Sequence, residues 1–150
     1  MLEIIREEEH MQLEIEADLR LLHSYQLTIS DIVECNIDQL NLLRQNKAIS
    51  EKTYIRIIVA KFRDNLATLV FENNDLDCLN ILNNCINKFG HYLRIILAAK
   101  HLDTNIIENL ATWGRFNSLE LLHKNNIINT DELGIAFQIA ENNNHYPSPR

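Results

Sequence analysis

Apolar residues recur along this chain at intervals of three, four and seven, and the rhythm breaks at short polar clusters. Ile4, Met11, Ile15, Leu19 and Leu22 form one stripe that Leu13, Ala17 and Leu21 widen, which predicts an amphipathic first helix over residues 2–24. Thr28 or Ser30 can cap a second helix, which carries Ile32, Val33, Ile37, Leu40, Leu42 and Leu43 to about Asn46. Ser50 caps a third, whose face is Tyr54, Ile57, Ile58, Phe62, Leu66, Leu69 and Val70, ending at Asn73-Asn74-Asp75. Asp75 or Asp77 opens a fourth helix, and Gly90 separates it from a fifth over 91–100. Asp103 caps a sixth that ends at Gly114, and a seventh spans about 117–124. Asn129 and Glu132 have capping-box spacing and open a last helix to about Asn142.

These elements predict an all-α fold of about seven to eight helices in antiparallel hairpins, as an irregular α-solenoid or a bundle. Residues 1–144 read as a single helical domain: the acidic first helix at 2–24, then helical hairpins over 27–143. Residues 145–150 read as a flexible tail or the cut edge of a longer protein.

A pattern repeats within this scheme: Leu, an aliphatic pair two and three residues on, an aliphatic at nine, a capping residue at ten, then two apolar positions. Leu40 to Ile57, Leu93 to Leu110 and Leu119 to Ala136 fit it without gaps, and Leu19 to Cys35 fits with one loop residue removed. Each copy describes a helix end, a tight loop and the capped start of the returning helix. The segments Leu119 to Leu133 and Leu40 to Lys52 resemble the short helical repeats of many Legionella secreted effectors. That resemblance implies a bacterial protein delivered into a host cytosol, or a partner of one, with its helices as scaffold. The segment Asn109 to Leu122 also resembles the inner half of an ankyrin repeat, and Val70 to Leu82 follows the same register with Asn74 in place of the glycine. The ankyrin Thr-Pro-Leu-His opening is missing. Both resemblances imply a protein-binding surface.

Charge is unevenly placed. Residues 1–18 hold seven acids (Glu3, Glu7, Glu8, Glu9, Glu14, Glu16, Asp18) against Arg6, while the remainder is almost balanced. No basic stripe is present to displace counterions, so nucleic acid is not expected as a partner. No apolar run reaches the roughly 18 residues of a membrane span, and no signal-peptide pattern opens the chain, so a soluble, cytoplasmic protein is expected. Cys35, Cys78 and Cys85 are an odd set of thiols, read as reduced and mostly buried.

Candidate chemistry is sparse. His10, His23, His91, His101, His123 and His145 include no pair four residues apart, and neither His-Glu-x-x-His nor Cys-x-x-Cys occurs, so no metal is assigned. Gly90, Gly114 and Gly134 are isolated, which leaves no phosphate-cradling loop and no expected cofactor. Two clusters read as protein-binding candidates: Trp113, Arg115 and Phe116 around Gly114, and Glu7, Glu8 and Glu9, suited to a basic partner surface. The expectation is a non-enzymatic interaction module, an effector or a regulator or inhibitor of a partner protein. Two alternatives stand beside it. One is an enzyme with a dispersed site using Cys35 or a histidine; the other is a homodimeric bundle joined through residues 2–24.

Overall fold

The computed structural model describes residues 18–100 and 103–147. Among them the regular structure is helical, without a strand. In chain order the helices are α1 (Leu19–Ser24), α2 (Ile29–Glu34), α3 (Ile37–Gln45), α4 (Glu51–Glu72) and α5 (Asp75–Phe89). A 3-10 turn (Gly90–Tyr92) leads into α6 (Leu93–Ala98), followed by α7 (Ile106–Thr112), α8 (Phe116–Lys124) and α9 (Thr130–Asn142). The all-α prediction is met.

Several boundaries differ from the periodic reading, and each difference has a local cause. A continuous helix over 2–24 does not hold at Asp18, which is extended (ψ 100°) and caps α1 through its carboxylate; residues 1–17 lie outside the described residues. The predicted second helix is two. Asn36 leaves the helical conformation and forms a capping box with Gln39, so α2 ends and α3 begins within an unbroken apolar stripe. Asp103 does not cap α7. It has φ +67°, and Asn105 takes the cap by accepting from the Glu108 N–H at 2.7 Å. Asn74, not Asp75 or Asp77, caps α5. Thr28, Ser50 and Asn129 cap their helices as the sequence predicts.

The repeated pattern has a structural counterpart in its turns. At the end of α3 the Lys47 N–H donates to the Arg44 carbonyl and the Ala48 N–H to the Leu43 carbonyl, with Lys47 at φ +59°. The end of α8 does the same through Asn126 to His123 and Ile127 to Leu122, with Asn126 at φ +61°. In both, an Asn amide also donates back to a carbonyl, Asn46 to Leu42 and Asn125 to Leu121. These are paired 6→1 and 5→2 helix stops, in which the left-handed residue lets the chain reverse into the next cap. The copy beginning at Leu93 departs: its helix stops at Ala98 and its cap lies two residues late, at Asn105.

The periodicity groups residues 1–144 as one domain; the packing groups the chain as two compact units, Met1–Ile58 and Val59–Arg150. In the first, Leu22, Ile32, Leu40, Leu43 and Tyr54 are fully buried. Tyr54 donates its hydroxyl to Asn41 Oδ1 at 2.7 Å, and the Arg44 guanidinium lies over its ring. In the second unit, α5 packs on α8, and α9 packs on α7 and α8. Cys78, Leu82 and Phe89 form the inner stripe of α5, and the small inner residues Ala136 and Ala140 let α9 approach its neighbours closely.

Candidate functional site

The predicted Trp113-Arg115-Phe116 cluster falls where four helix ends meet in the second unit. Here Asn73 to Asp75 link α4 to α5, and Trp113 to Arg115 link α7 to α8. Arg115, the residue before α8, offers no side-chain cap to it. The cap comes from across the fold: the Asp75 carboxylate accepts from the Asn117 N–H at 3.0 Å, the Ser118 N–H at 3.1 Å and the Ser118 hydroxyl at 2.7 Å. Arg115 reciprocates, donating from Nη2 to the Asn73 carbonyl at 2.7 Å and from Nη1 to the Trp113 carbonyl. Each link thus holds the other.

Gly114 is required at this joint. Its φ is +68°, and an added Cβ would lie 2.6 Å from the His145 ring. His145, assigned to the tail by the sequence, is packed there after α9, its N–H bonded to the Ala140 carbonyl. Phe116 is half-buried against Phe137 in an edge-to-face contact. Trp113 is more open. It stands 44% exposed, edge-to-face with Phe71 at 5.9 Å between centroids, and Phe71 is itself 47% exposed. Leu76, on the first turn of α5, is 64% exposed. Phe71 and Leu76 are not evident as surface residues from the sequence, because helical periodicity does not say which apolar residue at a helix end lacks a neighbour.

Glu7, Glu8 and Glu9 lie outside the described residues. Among the described residues no three His, Cys, Asp or Glu side chains gather as for a metal ion. Cys35 is 3% exposed. Burial pushes the Cys78 thiol upward against the opposing pull of Arg115, and burial also pushes up the Cys85 thiol. The Cys78 Sγ donates to the Leu69 carbonyl at 3.4 Å. Cys35 is buried, and the upward push on Cys78 and Cys85 is opposite to what a thiolate nucleophile needs.

A cleft of about 660 Å³ in the first unit is lined by Asp18, Arg44, Lys47 and Glu51 among others. Its charges are of both signs and partly committed: Asp18 caps α1, and Arg44 lies 4.0 Å from Glu51. No family model matches the chain, and no curated protein or solved structure matches it significantly. No described helix is long and apolar enough to cross a membrane.

Proposed function

We propose that this chain is a non-catalytic protein-interaction module that regulates or inhibits a partner, with the Phe71–Trp113 pair as its contact surface. The observation that carries this reading is the pair itself: two large rings close together, nearly half exposed. Exposed aromatic surface on a rigid base is the composition of an interface hot spot, and Trp is prominent there. The base is rigid because Asp75 and Arg115 tie both helix links together, so little ordering entropy opposes docking.

The resemblance to effector repeats implies a partner in a host cytosol. The turns after α3 and α8 share one geometry, but the ends of α1, α7 and α9 adopt it too, so it belongs to helix stops in general and not to the repeat alone. The burial of Cys35 counts against the cysteine version of the enzymatic alternative and leaves it to a histidine. Affinity capture with the full chain and with Trp113→Ala, read by quantitative mass spectrometry, tests the proposal. Proteins retained by the native chain and lost from a variant with unchanged circular dichroism support it, and identical retention overturns it. Sedimentation velocity separates a second copy of this chain from a foreign partner.

A further inference from the structure

Resting on the interaction reading, we infer that the Phe71–Trp113 surface takes a basic segment: an apolar anchor flanked by Lys or Arg. The apolar part of the argument is the exposure of Phe71, Trp113 and Leu76, all bordering the Asn73–Asp75 link. The charge part comes from the same stretch. Glu72 follows Phe71, Asp77 follows Leu76, and both are exposed and make no ion pair among the described residues. The third acid, Asp75, is engaged in capping α8, and Arg115, the cation at the joint, donates to two main-chain oxygens. The stretch that carries the exposed rings thus holds three acids and one cation, and the two acids exposed and without an ion pair among the described residues are Glu72 and Asp77.

An acidic partner would bring like charges against Glu72 and Asp77, and a neutral one would leave both carboxylates partly desolvated without compensation. A Lys or Arg answers the carboxylates and can also lie over the Trp113 face, where the ring quadrupole attracts a cation. The anchor beside it covers apolar area that water now touches. A free metal cation or polyamine lacks that second component.

Trp113 is the sole tryptophan of the chain, so its emission reports this surface directly. The probes are three blocked peptides of alternating residues, Leu/Arg, Leu/Gln and Leu/Glu, titrated into the full chain at low salt. The Leu/Arg peptide is expected to shift the emission with at least about threefold tighter binding than Leu/Gln, and Leu/Glu to be weakest. In the Glu72→Gln/Asp77→Asn variant that preference falls to about unity, as it does for the native chain at high salt. Caesium should quench native Trp113 more than iodide does, and the double variant should narrow the difference without any peptide. Equal binding of Leu/Arg and Leu/Gln, or a salt-independent preference, overturns the basic-partner inference while leaving the interaction module standing. A partner captured through Trp113 alongside no response to any peptide does the same. Loss of both capture and peptide response overturns both.

Discussion

A methyl group added at Gly114 meets the His145 ring and must also adopt φ +68°. Left-handed backbone costs a non-glycine residue about 1–2 kcal/mol, and the overlap with His145 adds to it, so Gly114→Ala should lower unfolding stability by about 2 kcal/mol or more. Gly134 is the opposite case, lying within α9 with open space where its Cβ would be. There an alanine should raise stability by about 0.5–1 kcal/mol, because glycine loses more backbone freedom on folding. Urea denaturation of the two variants checks both signs at once. The glycine turn was legible in the sequence, since helices commonly stop at such a residue. His145 was not: its contact arises only when the end of α9 returns to the joint. Phe71 was hidden for a related reason. Leu69, Val70 and Phe71 are consecutive apolar residues, and only tertiary packing decides that Val70 is buried while Phe71 is exposed.

At the scale of elements, local capping was readable and distant capping was not. Asn129 with Glu132 announced α9 because both partners lie within four residues of each other. The same spacing at Asn36 and Gln39 was masked by an apolar stripe running straight through the break. Asp75 could not be assigned to α8, since 42 residues separate it from Asn117. Its removal takes the acceptor from the N–H groups at the start of α8 and leaves the buried Ser118 hydroxyl only its longer bond, 3.4 Å, to the main-chain carbonyl of residue 75, so Asp75→Ala is expected to cost about 2 kcal/mol. Asn129→Ala, losing one ordinary cap, should cost about 1 kcal/mol. Thermal unfolding of the two variants gives the comparison, and an equal loss would mean that the cross-fold cap is worth no more than a local one.

Glu132 makes the pH dependence specific. Its hydrogen bond from the Arg94 side chain, first, and one from the Asn129 N–H hold its carboxyl below the usual value of 4.5, against an opposing push from burial. Because the folded value is depressed, the stabilisation is complete above the unfolded carboxyl range and is lost as pH falls through the folded value. The native chain should therefore lose stability on acidification below about pH 5, and Glu132→Gln should flatten that limb. Asp31, lowered by its backbone and side-chain bonds to Thr28, acts in the same direction. Unfolding curves recorded from neutral pH downward, for the native chain and for the Glu132→Gln variant, measure the difference.

At the scale of the whole molecule, the helical class was legible because every helix states its own period, but the division into two compact units was not. No Pro, Gly or polar linker marks the boundary, which falls between Ile58 and Val59 inside the uninterrupted α4. The units differ in what they bury. Among the described residues ten buried apolar side chains belong to the first and twenty to the second. Small cores are marginal because burial rises with size, so the first unit should open at lower free energy than the second. Each unit contains its own buried reporter, Cys35 in the first and Cys78 in the second. Thiol labelling in graded urea, resolved by peptide mass spectrometry, is expected to modify Cys35 at denaturant concentrations where Cys78 is still protected. Simultaneous labelling would show that α4, which runs through both, joins them into one cooperative unit. The outcome also bears on function: the Trp113 surface lies wholly in the unit with the larger described core, so it should remain folded and able to bind while Cys35 is already reactive.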